Sequence, residues 1–171
     1  MAGQQTDAVD AIVEQWRRER PDLDLAAMAI IGRLGRMQVL AEREIEAVFT
    51  AHGLHRGEFD VLAALRRSGE PFELTPSVLA DTLMLSRAGM TGRLDRLESA
   101  GLVRRIADPA DRRAVRVALT PAGRERVDEV VTAHTENETR LLSALTEHDR
   151  GELDRIARTL LVALEHDGAG R

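Results

Sequence analysis

The chain has 171 residues, 43% hydrophobic and 31% charged, and a formal net charge of −5. It has no cysteine and no tyrosine, one Trp and three Phe. This excludes disulfides, thiol redox sensing and Cys-ligated zinc, and leaves few rings on which single-stranded nucleic acid could stack.

In chain order, residues 1–6 read as frayed. Asp7 to Arg20 reads as a short amphipathic helix, with Val9, Ile12, Val13 and Trp16 on one face and Glu14, Arg17 and Arg18 opposite. Pro21 stops it, and Asp22 or Asp24 can cap the next helix. That helix runs from about Leu25 to His52, with a stripe of Ile30, Leu34, Met37, Ala41, Ile45 and Val48, and Gly53 ends it. Roughly 28 residues at about 1.5 Å each span about 42 Å, longer than a small globule needs. Gly57 to Arg67 reads as a further helix with Phe59, Leu62 and Leu65 inward.

The stretch Thr75 to Leu119 is organised differently. Thr75 can cap a helix that opens on Pro76, because proline lacks only an N–H that the first turn leaves without a partner. Leu79, Ala80 and Leu83 give this helix an apolar side, and Leu85-Ser86 breaks the pattern. Ser86 then caps a second helix, in which Met90, Leu94 and Leu97 recur at helical spacing and Gly101 makes the stop. Leu102 to Ile106 and Ala114 to Leu119 read as strands joined by Asp108-Pro109-Ala110-Asp111. In the second strand Val115, Val117 and Leu119 alternate with Arg116 and Ala118. Helix, turn, helix and hairpin in this order make a winged helix-turn-helix. Its second helix suits a major groove, and its hairpin suits the flanking backbone or minor groove.

Charge agrees with that order. From Ser86 to Arg126 there are ten arginines against five acids, so this segment carries +5 and the remainder −10. All 24 cationic side chains of the chain are arginine, whose planar forks match phosphates and guanine edges. A basic segment in an acidic protein is the footprint of a phosphate-binding face.

After the hairpin, Thr120-Pro121 repeats the capping signal and opens a second long helix. Its stripe is Val127, Val130, Val131, His134, Glu138, Leu141, Leu142 and Leu145. Thr146 with Asp149 resembles a capping box and opens a last helix carrying Leu153, Ile156, Leu160 and Leu164. A disordered tail is expected from Gly168. The fold class is mainly α, an α+β winged helix-turn-helix with a two- or three-stranded wing. Residues 57–119 form the DNA-binding region, and 7–52 with 121–166 form a helical dimerisation region. Long amphipathic helices around a small module leave apolar faces that one subunit does not cover, which predicts a two-fold homodimer and an inverted-repeat site in double-stranded DNA.

Other chemistry is sparse. His52 and His55 flank Gly53, while His134, His148 and His166 are scattered, so no metal site and no cofactor are expected. No Gly-rich phosphate loop and no Ser/His/Asp grouping point to an enzyme. No apolar run approaches the roughly 20 residues that cross a bilayer, and nothing near Met1 resembles a signal peptide, so no membrane partner is expected and the bacterial cytoplasm, at the nucleoid, is the expected compartment.

Two stretches, LADTLMLSRAGMTGRLDRLESAGLVRR and DPADRRAVRVALTPAGR, carry a resemblance to the MarR family of bacterial transcriptional regulators. It covers the chain from Leu25 to about Leu164. The resemblance implies a repressor whose recognition helix is Ser86 to Ala100, with Ser86, Arg87, Thr91 and Arg96 near DNA. It also implies that Asp111-Arg112-Arg113 is the wing signature, with Arg112 or Arg113 entering the minor groove. The added N-terminal helix, with its tryptophan followed by RRERPDLDL, is similar to the urate-responsive branch of that family. That likeness implies a ligand pocket of Trp16, Asp60, Arg93 and Arg105, in which an anionic purine pairs with the arginines and repels the aspartate. Guanidinium donors and a flat N–H-bearing wall suit a planar anion. The alternative ligand is a phenolic carboxylate or another aromatic anion.

Overall fold

The computed structural model describes residues 6–107 and 114–169, apart from the side chains of Arg87 and residues 167–169. The chain forms two compact units, one ending at Ala47 and the other starting at Val48. Each is built on its own apolar contacts.

The first unit holds α1 (Ala8–Glu19) and most of α2 (Ala26–Ala51). Asp7 caps α1 by accepting from the Val9 and Asp10 N–H groups, and Asp10 reaches back to the Asp7 N–H at 2.8 Å. This reciprocal arrangement satisfies donors that a first turn otherwise leaves open. Asp24, rather than Asp22, serves α2, accepting from the Ala26 N–H at 3.0 Å. Val9, Val13 and Leu25 make a small core against Ala29. Arg33 ties the two helices by bonding Asp7 at 2.7 Å and also Asp10. The expected apolar faces extend further than this core. Ile12, Trp16, Ile30, Leu34 and Met37 all remain exposed, because a twelve-residue helix offers α2 only one short seam.

The second unit begins with the end of α2 and continues through α3 (Arg56–Arg67), β1 (Glu73–Leu74), α4 (Pro76–Thr82) and α5 (Arg87–Ser99). It ends with β2 (Val103–Ala107), β3 (Val115–Leu119), α6 (Pro121–Leu141) and α7 (Glu147–Ala169). Its core centres on α3, where Val61, Leu62 and Leu65 have no exposed surface. Leu79 of α4, Met90, Leu94 and Leu97 of α5, Val117 of β3 and Val127 and Val130 of α6 are buried as well. Phe49 and Phe59 stack with centroids 4.5 Å apart. Thr75 and Ser86 cap α4 and α5 as the sequence implies, accepting from the Val78 and Gly89 N–H groups.

The turn between α4 and α5 is sharper than the break at Leu85-Ser86 suggests. Met84 takes a left-handed backbone (φ +51) and the Leu85 N–H returns to the Ala80 carbonyl at 2.9 Å. Such a return closes a helix C-terminus.

The sheet is antiparallel in the order β1-β3-β2. The two-residue β1 is the third strand of the wing region and pairs Glu73 with Ala118 and Leu74 with Val117. β3 is therefore central, so Ala118 is buried although the alternation marks it as outward. The loop of Asp108 to Arg113 lies outside the described residues.

α6 starts as expected, with Thr120 accepting from the Gly123 N–H at 2.9 Å and donating to the Gly101 carbonyl at 2.7 Å. It stops at Leu141, short of Leu145. α7 follows the Thr146–Asp149 capping pair, in which each backbone N–H reaches the other's side chain at 3.2 Å. α7 continues to Ala169, so Gly168 is helical rather than the start of a disordered tail. Its stripe of Leu153, Ile156, Leu160 and Leu164 is exposed. Among the described residues no helix is long and apolar enough to cross a membrane.

Gly123 sits where α6 meets the backbone entering β2, and a Cβ there would overlap the Leu102 carbonyl oxygen. The neighbour is main chain and cannot rotate away. Gly123→Ala is expected to destabilise the fold by about 2–3 kcal/mol, seen as a lower urea midpoint at unchanged m-value.

Candidate functional site

α5 is held against the rest of its unit on two flanks. Met90, Leu94 and Leu97 fix its inner face, each about 1% exposed. On the α3 flank, Arg96 Nε donates to Glu58 Oε1 at 2.7 Å. Glu58 is buried and also accepts from the His55 N–H at 3.0 Å. Burial pushes the Glu58 carboxyl up, but the His55 N–H and the Arg96 guanidinium outweigh it and hold the group below its ordinary value. One turn earlier, the Arg93 guanidinium lies on Gly57, in space that a Cβ would fill. On the sheet flank, Arg105 of β2 donates to Asp95 at 2.6 Å and also to Glu98, and its N–H bonds Glu98 at 3.0 Å.

The outer surface of α5 is consequently built from small and polar groups. Ala88, Gly89, Thr91, Asp95 and Ser99 are exposed, as is Ser86 at the cap. Thr91 also makes an interaction of its own within the protein. Small residues let a helix approach base edges closely, and a capped N-terminus favours phosphate. Arg96 is more than half exposed despite its bond to Glu58, so part of its fork faces solvent. The Arg87 side chain, Arg112 and Arg113 lie outside the described residues.

Of the four expected ligand residues, Asp60, Arg93 and Arg105 belong to the second unit and Trp16 to the first. Asp60 is half-buried on α3, and burial pushes its carboxyl above the ordinary value against the fields of Arg56, Arg93, Arg67 and His134. Arg105 is engaged by α5 carboxylates instead. Trp16 belongs to the first unit, where it is 44% exposed. Sequence reading assigned no role to Glu58. Its signal was present, since Glu58 stands three residues after His55 at a helix start, as in a capping box. No group of three or more His, Asp or Glu fit to hold a metal occurs among the described residues.

Comparison with known proteins accords with this geometry. The sequence pattern of the MarR family matches residues 52–114. The chain is 44% identical to the HTH-type transcriptional regulator PecS of Dickeya dadantii (strain 3937) over 145 residues, 85% of this chain and 87% of that protein. The chain belongs to the MarR family. It is a DNA-binding transcriptional regulator and not an enzyme. Among solved structures, AbsC, a MarR family regulator from Streptomyces coelicolor, is 26% identical with a TM-score of 0.70, covering 84% of this chain and 97% of that one. Apo MarR from Escherichia coli is 25% identical with a TM-score of 0.66, covering 76% and 95%. The family match spans α3 to α5, β1 and β2 and ends at Ala114, just before β3; it includes the elements that the arginine–carboxylate contacts join.

The Asp60 carboxyl carries a sign that can be tested. Between the ordinary aspartate value and its raised one, the folded state keeps a proton that the unfolded chain has released, so this group's contribution falls as pH rises through that window. Asp60→Asn is expected to flatten that fall in a pH series of urea midpoints. At neutral pH it should be at least as stable as the parent protein. A clear loss of stability at neutral pH would instead give Asp60 a stabilising partner.

Proposed function

We propose that this regulator acts as a homodimeric repressor, in the bacterial cytoplasm at the nucleoid, on an inverted-repeat operator, and that a small anion, urate or a related purine, releases it. The observation that carries the ligand reading is the Arg93 guanidinium seated over Gly57 of α3, three residues before Asp60, whose carboxyl lies in its field. An anion taken by the Arg93 guanidinium would come beside a half-buried carboxylate whose ionised form is already disfavoured. Repulsion between the two would strain the seat of α5 on α3, and a ligand shifts a conformational equilibrium only through such differential interaction. Arg105 then keeps α5 in register through Asp95 and Glu98. Similarity to PecS over most of the chain and the added helix α1 with Trp16 support the same reading.

The dimer reading rests on apolar surface. Ile156, Leu160, Leu161, Val162 and Leu164 of α7 are exposed, as are Ile30, Ile31, Met37, Val39 and Leu40 of α2. Large exposed apolar side chains along long helices suit protein–protein contacts. A two-fold pair would set two α5 helices on half-sites about 34–36 Å apart. Ser86, Arg87, Thr91 and Arg96 would meet the major groove, and Arg112 and Arg113 the minor groove. A second reading, release by a phenolic carboxylate or other aromatic anion, is favoured by an open cleft of about 550 Å³ lined by Thr75, Pro76, Met90, Thr91, Ala114 and Val115.

Gel-shift titration with the intergenic DNA beside its own gene tests the proposal. Urate is expected to lower operator affinity, and Arg93→Gln to remove that response. Gly57→Ala, which would displace a flexible guanidinium rather than main chain, should weaken the response while the protein stays folded. An operator complex indifferent to millimolar urate would discard the purine reading and leave the regulator. Arg112→Ala or Arg113→Ala should weaken binding to every duplex and reduce the salt slope by roughly one.

A further inference from the structure

The two described arginine side chains of α5 leave the helix in different directions. The Arg93 guanidinium turns onto Gly57 of α3. Arg96 takes another course. Its Nε donates to Glu58 Oε1 at 2.7 Å on the α3 flank. Its Nη1 lies 3.9 Å from where a Cβ on Gly92 would stand. At about 3.6 residues per turn, Gly92 is opposite Met90, Leu94 and Leu97, so it belongs to the outer surface of α5. The Arg96 side chain therefore runs back toward the start of the helix, as long side chains do. Its elbow rests on α3 and its fork lies by a position that has no side chain.

Glu58 is placed to hold that elbow. Its side chain is 9% exposed, against 58% for Arg96. One carboxylate oxygen takes Arg96 and the other accepts from the His55 N–H at 3.0 Å, so the group is fixed from both sides. The bond to Arg96 uses Nε. Among the described residues Nη1 and Nη2 reach no acceptor. Two such nitrogens match the O6 and N7 of guanine. An exposed arginine without a hold samples many rotamers. Contact with one base edge then loses its direction, while attraction to phosphates survives.

We propose that Glu58 is a positioning residue for DNA reading: it holds Arg96 by Nε so that Nη1 and Nη2 face a guanine edge in the major groove, and it thereby sets selectivity rather than total attraction. The proposal rests on the reading of α5 as the major-groove helix with Arg96 near DNA. It is independent of the ligand and of Asp60.

Binding of the full-length protein to the intergenic DNA beside its own gene, and to a scrambled duplex of the same length, is compared by fluorescence anisotropy at one salt concentration. Partial unfolding lowers both affinities by one factor, so their ratio reports selectivity alone. Arg96→Ala is expected to cut the ratio about tenfold, the cost of losing a bidentate base contact, and Glu58→Ala about three- to tenfold. Glu58→Gln keeps an acceptor for Nε and should recover part of that loss. The double variant should fall no further than Arg96→Ala, because Glu58 acts through Arg96. A parent-like ratio in Glu58→Ala beside a loss in Arg96→Ala would leave Arg96 on DNA and overturn the role of Glu58. Additive losses in the double variant would overturn it too, since Glu58 would then act through the fold. A parent-like ratio in Arg96→Ala would remove Arg96 from base contact and the proposal with it.

Discussion

The seat of α5 on α3 is the constraint on which the rest depends. Apolar packing of Met90, Leu94 and Leu97 supplies most of its adhesion, but a helix can rotate or slide on an apolar bed. Rotation is opposed on both flanks: Arg96 bonds Glu58 and Arg93 lies over Gly57 on the α3 side, and Arg105 bonds Asp95 and Glu98 on the sheet side. They are unequal. A hydrogen bond to a charged and buried partner such as Glu58 contributes about 1.5–3 kcal/mol, whereas an exposed pair such as Arg105–Asp95 contributes about 0–1 kcal/mol. The α3 flank is therefore the fulcrum and the sheet flank the weaker guide.

That inequality connects fold to regulation. A regulator must hold its reading helix firmly enough to present it and loosely enough to be moved. The flank that contributes most also holds Asp60, whose ionised form is disfavoured by burial and only partly rescued by surrounding cations. Strength and strain meet within three residues of α3, between Gly57 and Asp60. A small anion arriving there has leverage that it would not have at the sheet flank.

Much of this was legible in the residues. Thr75-Pro76, Ser86, Thr120-Pro121 and Thr146 mark helix starts because capping chemistry is local, and all four caps form. The apolar spacing in α3 and α5 picked out the core for the same reason. β1 was harder to read: two residues show no period, and only pairing with β3 makes Glu73 and Leu74 a strand. Met84 was missed as the turn because its left-handed backbone is imposed by the return of Leu85 to Ala80 rather than by its own preference. In the candidate site Asp60 lies in the field of Arg93, while Arg105 is drawn to carboxylates on α5 that the sequence could not rank above a ligand.

The sequence by itself determined which segments are helices and strands, that the middle of an acidic chain is basic, and that its end helices carry apolar stripes. These follow from side-chain period, capping and charge, all properties of nearby residues. The tertiary structure alone decided which partner each arginine meets. Arg93, Arg96, Arg104 and Arg105 are alike in a sequence. One turn of α5 or one step along β2 sends each to a different partner, because helix rotation and strand alternation are fixed only when the elements pack.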